Sequence, residues 1–418
     1  MQIIDLLKEK IRWHRHFRSL QAEAERVRRH PKIKVLFIAI DLPVWKQDSL
    51  FREMLRHPRF EPTMLIIPEM QIQDLSLREQ GMEKLHQFCH TCGYPHIFLC
   101  DADGEPGDAR IPEEYDVLVY PKPFPSAVPP NLDYGLNKSK LLLSILYSCH
   151  CTDANWACNQ PYQQICWLDC FENESTAKTS AKWKPCGMRN NVVTGLPVFD
   201  GFLKVPTDPW KKTPQKLKRI IWAPHWTIPT SKSWLGQYSN FLSIANRMKD
   251  FIISKPDLYQ WAFKPHPLLK HALYQNPDWG KKKTDEYYEW WANQSITQLE
   301  NGDYTDLFMT SDAMIHDSCS FMNEYHFTTK PVLFICHDSE DIIKNLNSMS
   351  RDAFRAQYIG TKFEDIDAFL NEQVQKGQDP MLKQRVAFKN KYLIPPHNKT
   401  AAQNIIDAIL GENTYSQL

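Results

Sequence analysis

Short, uninterrupted apolar runs alternate with longer amphipathic stretches along most of this chain, and that alternation limits the fold more than any other feature. The runs are 34–41 (KVLFIAID), 63–69 (TMLIIPE), 96–101 (HIFLCD) and 116–122 (DVLVYPK). A run that is apolar at nearly every position is a strand covered on both faces, as in a parallel sheet flanked by helices. Helical stretches at 49–56 and 74–92 separate these runs. Residues 140–150 continue the pattern, and 192–201 closes the series. A segment rich in proline and lysine follows at 203–218, and 204–216 reads as a linker. Then the alternation restarts. Strands are expected at 219–224, 259–266, 306–317 (after a helix end) and 331–336, with helices at 239–254, 364–375 and 400–410. Thr400 is the expected N-cap of the last helix, just after Pro395 and Pro396. The predicted fold class is α/β and GT-B-like: two Rossmann-type doubly wound domains at 31–203 and 217–395. A helix over 1–30 precedes them and a C-terminal helix lies within 396–418. Two such domains predict a cleft between them, with ligands beyond the carboxyl ends of strands.

Charge excludes some partners. Lys and Arg total 50 against 49 Asp and Glu, a formal net charge of +1, so no nucleic acid is expected as a partner. No stretch approaches the roughly 20 apolar residues that span a bilayer. Asp5, Lys8, Glu9 and Lys10 stand where a signal peptide would carry its apolar core. The expected location is cytoplasmic. Residues 1–30 combine an apolar stripe with many Lys and Arg, which suits the inner face of an anionic membrane and equally suits packing on the first domain with the basic face in water.

The 11 cysteines point to reduced thiols, not a disulfide framework. Cys89, Cys92, His96 and Cys100 have a spacing near that of a small zinc site, although buried free thiols explain them as well. Asp101-Ala102-Asp103 is a pair of carboxylates at a strand end, a pattern that can hold Mg²⁺, set among turn-forming Gly104, Pro106 and Gly107. The aromatic stretch 278–291 reads as packed core or as a polymer-gripping surface.

Three polar clusters follow predicted strands of the second half: Ala223-Pro224-His225-Trp226-Thr227, Lys264-Pro265-His266-Pro267, and Ser311-Asp312 running on to Ile315-His316-Asp317-Ser318-Cys319-Ser320. In the third, small hydroxyl and thiol residues open a helix, whose free N–H groups suit phosphate; a plain N-cap is the other reading. His266 is held between two prolines with Lys264 close by, fit to bind a diphosphate or to protonate a leaving group.

In order and spacing these clusters resemble the CDP-glycerol glycerophosphotransferases. The family's APTW turn is similar to Ala223–Trp226, its K-x-HP turn to Lys264–Pro267, and its SD-x-x-I-x-D-x-SS segment to Ser311–Ser320. Tyr325, Lys330-Pro331 and the turn His337-Asp338-Ser339-Glu340 fit the same pattern, as does Gly195-Leu196-Pro197-Val198-Phe199-Asp200 in the first half. The likeness covers about residues 190–345. The chain departs from the pattern at Ser318 (usually tyrosine), Cys319 (usually serine) and Thr227 (often arginine). It also lacks the family's His-Gly turn, which carries a proposed base; His150, at the end of an apolar run, is the candidate in its place.

The resemblance implies an enzyme that moves glycerol phosphate, or a related polyol phosphate, from a CDP-linked donor to a hydroxyl of a glycan or lipid-linked acceptor, with release of CMP. It implies no cofactor and no metal. The catalytic candidates are His150 and His266, and the donor-binding candidates are His225, Lys264, Asp317, Ser318, Cys319, Ser320 and Asp338. A glycosyltransferase of the same fold, using a nucleotide sugar in surface-polysaccharide synthesis, is the alternative.

Overall fold

The apolar runs become the central strands of two parallel sheets. The computed structural model describes residues 2–229, 238–336 and 339–412. The chain divides into two compact units, 1–200 with 395–418, and 201–394. In the first unit, seven strands lie in the order β3-β2-β1-β4-β5-β6-β7. They are β1 (Ile33–Ala39), β2 (Phe60–Ile66), β3 (His96–Phe98), β4 (Val117–Tyr120), β5 (Leu141–Ile145), β6 (Leu168–Phe171) and β7 (Asn191–Val193). The order reverses between β1 and β4, the switch point of a doubly wound sheet.

The second unit repeats the plan with six strands in the order β10-β9-β8-β11-β12-β13. They are β8 (Lys218–Ala223), β9 (Tyr259–Phe263), β10 (Thr297–Leu299), β11 (Ala313–His316), β12 (Val332–Ile335) and β13 (Tyr358–Gly360). Its switch point falls between β8 and β11, where Ala223 pairs with His316. Every strand pair in both sheets is parallel among the described residues. The expected two Rossmann-type domains are therefore present.

Helix α1 (Gln2–Arg28) buries Trp13, Leu20, Ala24 and Val27 against the first unit. His16 Nε2 bonds the Ile165 carbonyl at 2.8 Å, and Arg28 donates to the Ile409 carbonyl. The apolar stripe from Trp13 onward thus faces protein, while Lys8, Lys10, Arg12, Arg15 and Arg18 stay exposed. Helices α2 (Asp48–Arg56) and α3 (Leu75–Cys92) cover the sheet further along. No helix among the described residues is long and apolar enough to cross a membrane.

The segment read as a linker lies against the second unit. Trp210 is buried and donates to Thr310 Oγ1 at 3.0 Å, and the Lys211 N–H donates to Gln298 Oε1. The aromatic stretch 278–291 is core. Its helix (Gly280–Asn293) buries Tyr287, Tyr288 and Trp291, and Trp291 stacks on Phe263 of β9 at 4.9 Å. A polymer-gripping surface is thereby ruled out for these three side chains.

The last helix, Ala401–Leu410, belongs to the first unit. Thr400 caps it, accepting from the Gln403 N–H, as its sequence position indicates. The Asp200 carboxylate accepts from the N–H groups of Ala401 (2.7 Å) and Ala402 (3.0 Å) and from Ser49 Oγ. An anion at a helix N-terminus satisfies orphan donors and meets the positive end of the dipole. Gly195 makes the close approach possible: its φ is +78°, and a Cβ there would lie 2.9 Å from Pro395 Cβ. The glycine–proline–aspartate turn is thus the seat of the closing helix. Asp200→Ala is expected to destabilise the chain by about 1.5–3 kcal/mol, the usual loss for hydrogen bonds to a charged group. Urea denaturation of both proteins measures this; an unchanged midpoint would mean the helix is held elsewhere.

Candidate functional site

In the second unit the three clusters follow three neighbouring strands. β9 runs into Lys264-Pro265-His266, β8 into Pro224-His225, and β11 into Asp317-Ser318. The sheet order therefore brings His266, His225 and the 317–320 turn together at the switch point, although they are far apart in sequence. The rings of His225 and His266 are 5.0 Å apart between centroids at 65°. The His266 N–H donates to the Pro224 carbonyl at 3.0 Å, tying the two turns.

Asp317 is a bracket. It is buried, and its two oxygens accept the backbone N–H groups of His225 and of Asn240, the latter at 2.7 Å. Asn240 in turn donates to the Ile335 carbonyl at the end of β12. Burial raises the Asp317 pKa to about 7, against the opposing effect of these hydrogen bonds. Its carboxylate is occupied by the backbone, and it fixes the turns that carry His225.

The hydrogen bonds also fix the tautomers of the histidines. His266 Nδ1 accepts from the Leu268 N–H at 3.1 Å, so the neutral ring carries its proton on Nε2. His225 Nδ1 accepts from the Thr227 N–H at 3.4 Å and lies 2.8 Å from Thr227 Oγ1, so it too is the ring's acceptor nitrogen. His225 Nε2 is therefore also a donor. Thr227, at the position where arginine often stands in the resembled family, holds His225 in place. Burial lowers the His225 pKa to about 4 and that of His266 well below its usual value, with the His225 and Lys264 charges adding to the latter. Both rings are therefore neutral N–H donors near neutral pH.

His316 is a packing residue: its Nε2 donates to Gln357 Oε1 at 2.7 Å, and burial holds its pKa at about 4. Lys264 is also engaged locally. Its Nζ donates to the Gly302 carbonyl at 2.9 Å and lies 5.9 Å from the Tyr304 ring centroid. Ser318 is the N-cap of helix Cys319–Glu324 but makes no side-chain capping bond; its Oγ is 3.4 Å from Ser320 Oγ. Burial pushes the Cys319 thiol up to about 12, so it stays protonated. Asp338 lies outside the described residues.

The first unit carries a second arrangement. His150 follows β5 and Glu172 follows β6, and these strands are neighbours. Glu172 Oε1 accepts the His150 backbone N–H and Oε2 the ring Nδ1–H, both at 2.9 Å. The ring stacks on Phe171 at 4.6 Å. A carboxylate that holds Nδ1–H leaves Nε2 as the basic atom, the base-and-orienter pairing of acid–base catalysis. Sequence reading missed Glu172. Beyond β2 and β4 it also missed Glu69 and Lys122, a largely buried ion pair. Asp101 and Asp103 lie in a tight turn: the Gly104 N–H donates to the Asp101 carbonyl, and Asp103 Oδ1 accepts from the Glu105 N–H.

Two doubly wound units, one with neutral histidines and a small-residue turn at its switch point and the other with a His–Glu pair, define a GT-B-type transferase. The chain belongs to the CDP-glycerol:poly(glycerophosphate) glycerophosphotransferase family, whose model matches residues 172–411, more than half its length. It is a glycerophosphotransferase-like enzyme, a polyol-phosphate transferase. No curated protein sequence matches it. Among solved structures, it is similar to the wall teichoic acid polymerase TagF, with 15% identity, TM-score 0.58 and 98% of each chain covered. It is also similar to a UDP-N-acetylglucosamine 2-epimerase, with 13% identity, TM-score 0.56, and 93% and 98% covered. A third is MnaA from S. aureus, solved with UDP, with 13% identity, TM-score 0.53, and 90% and 96% covered. At such identities the likeness establishes the shared fold.

The buried histidines have a consequence for stability. His225 and His316 have folded pKa values near 4, His326 near 3, and His266 well below normal, all lowered first by burial. Unfolded, each takes up a proton near pH 6.5, and folded it does not. The histidines' contribution to stability is therefore full above about pH 6.5 and falls as pH drops towards 4, by up to about 1.4 kcal/mol per pH unit for each histidine, while the raised pKa of Asp317 acts in the opposite direction. His326→Gln keeps a donor for the Ala353 carbonyl and removes one titrating group. Urea midpoints at pH 7 and pH 5 are expected to differ less in that variant than in the native chain. Equal drops would show that His326 titrates alike in both states.

Proposed function

We propose that the enzyme transfers glycerol phosphate, or a related polyol phosphate, from a CDP-linked donor to a hydroxyl of a teichoic-acid-like or other cell-surface glycan acceptor, releasing CMP. The observation that carries this reading is the convergence of His266, His225 and the Ser318–Ser320 turn beyond β9, β8 and β11. Family membership supports the donor class. One TagF structure was solved after a soak with CDPG.

In this mechanism the donor's diphosphate lies against the Nε2–H groups of His266 and His225 and the hydroxyls of Ser318 and Ser320. An acceptor hydroxyl attacks the phosphorus that bears the polyol. The bond from that phosphorus to the bridging oxygen breaks, and CMP leaves with the bridging oxygen and the electron pair. His150 Nε2 takes the hydroxyl proton, while Glu172 stabilises the imidazolium through Nδ1–H. Phosphoryl transfer depends on such positioning and charge stabilisation more than on covalent help. Neutral histidines suit this role, because N–H donors fixed in advance need no reorganisation as charge builds on the leaving group. The exposed basic face of α1 would keep the enzyme near a lipid-linked acceptor at an anionic membrane surface.

Release of nucleotide, CMP from CDP-glycerol and CDP-ribitol or UDP and GDP from UDP- and GDP-sugars, with and without EDTA, tests the reading. CDP-linked polyols alone are expected to turn over, insensitive to EDTA; a response confined to UDP- or GDP-sugars would make the enzyme a glycosyltransferase. His266→Ala is expected to slow turnover about 10²–10³-fold, the loss typical of one charge-stabilising donor. Undiminished turnover would remove His266 from the mechanism. Glu172→Gln is expected to lower kcat, because the amide no longer stabilises the imidazolium that forms when His150 takes the hydroxyl proton. An unchanged kcat would exclude the His–Glu base.

A further inference from the structure

Three histidines meet at the outer edge of the first sheet, away from the residues assigned above. Helix α3 carries His86 and His90 one turn apart, so both rings lie on one face. Asp74 caps its start and Gly93, at φ +67°, ends it. The chain then turns back through Tyr94 and Pro95, and the edge strand β3 opens with His96. Each residue offers a ring nitrogen within 4.8 Å of the other two. The rings pack edge-on, with centroids 4.4, 4.9 and 5.3 Å apart.

We propose that His86, His90 and His96 form a binding site for one divalent transition-metal ion, with Zn²⁺ as the fitting case. Three imidazoles at one point are a borderline-soft nitrogen set that suits zinc and its neighbours and excludes magnesium or calcium. A tetrahedral zinc with Zn–N bonds of about 2.0–2.1 Å holds its nitrogens about 3.3–3.4 Å apart. His86 Nδ1 and His96 Nε2 are already 2.9 Å apart, and a side-chain rotation of exposed His90 closes the remainder. His96 is oriented as a ligand, because its Nδ1–H donates to the Tyr94 carbonyl at 3.0 Å and Nε2 then presents the lone pair. A carbonyl on the far ring nitrogen is the usual outer support of a metal-bound histidine. His86 also lines a cavity of about 490 Å³ with Glu79, Glu83, Asp101 and Asp103, whose carboxylates favour a cation nearby.

The cysteines of the sequence pattern belong to other contacts. Cys89 is buried with its thiol 3.3 Å from Met64 Sδ, and burial pushes its pKa up to about 11. Cys92 lies 3.6 Å from Arg52, and burial also raises the Cys100 thiol to about 11. The ligand set is therefore His₃, with only His96 shared with the Cys89/Cys92/His96/Cys100 pattern. Its fourth position is left for water or a carboxylate. The ion would pin edge strand β3 to α3.

The test uses the full chain without a histidine tag, stripped of metal, with Zn²⁺ followed by calorimetry and Co²⁺ by visible absorption. One Zn²⁺ per chain is expected, with Kd below about 10 µM, together with a rise in Tm on zinc addition. His90→Ala, at an exposed position, is expected to weaken binding by at least about tenfold. Cys92→Ser is expected to leave binding unchanged. Millimolar affinity, binding indifferent to His90→Ala, or binding lost in Cys92→Ser would each overturn the site. Transfer from the nucleotide donor is expected to proceed equally in the stripped protein, which separates this site from the transferase reaction.

Discussion

Parallel pairing of β8 with β11, with Ala223 opposite His316, is the constraint on which the geometry of the second unit's site rests. It delivers Pro224-His225 and Asp317-Ser318 side by side, at the one point where the strand order reverses. Asp317 then converts that neighbourhood into a fixed shape by accepting N–H groups from two other segments. Burying a carboxylate is unfavourable unless its oxygens are satisfied, and here backbone donors satisfy them. In the same way Thr227 holds His225, and the Leu268 N–H holds His266. A site assembled in this way uses its local hydrogen bonds for position, with Nδ1 of both neutral rings engaged within the protein.

Much of this was legible in the sequence because buried parallel strands are apolar at every position. Runs such as KVLFIAID and PVLFIC announce themselves, and the polar residues that follow them are marked as strand-end residues. Three strands were not legible, for distinct reasons. β10 and β13 have three residues each, too few to show any period. β6 contains Asp169, a charge that argues against a buried strand until its partner Lys184, equally buried and 2.9 Å away, is known. The aromatic helix 280–293 was ambiguous for the opposite reason. Its pattern fits core and surface alike until Phe263 and Trp222 are seen to pack on it.

The sites divide in the same way. His266 and His225 stand directly after apolar runs and could be named from the sequence. Glu172 could not, because its link to His150 spans 22 residues and depends on β5 lying next to β6. The histidines at 86 and 90 were overlooked in favour of cysteines with familiar spacing. Spacing along a chain is a weak guide where a helix ends and a strand begins, since Gly93 redirects the backbone between the two sets of residues.

The first unit is discontinuous in sequence, and this bears on how the protein is made. Its closing helix docks on Asp200 across a separation of 201 residues, with the whole second unit encoded in between. Loop-closure entropy grows only slowly with length, so the final fold loses little by this arrangement. Order in time is another matter. During synthesis the second unit has all its residues before the first does, and the Gly195–Asp200 seat stays unfilled until residues 401–410 emerge. The half of the enzyme that begins first is therefore the half that finishes last, and until then the surface that receives the apolar helix is exposed to whatever else is near.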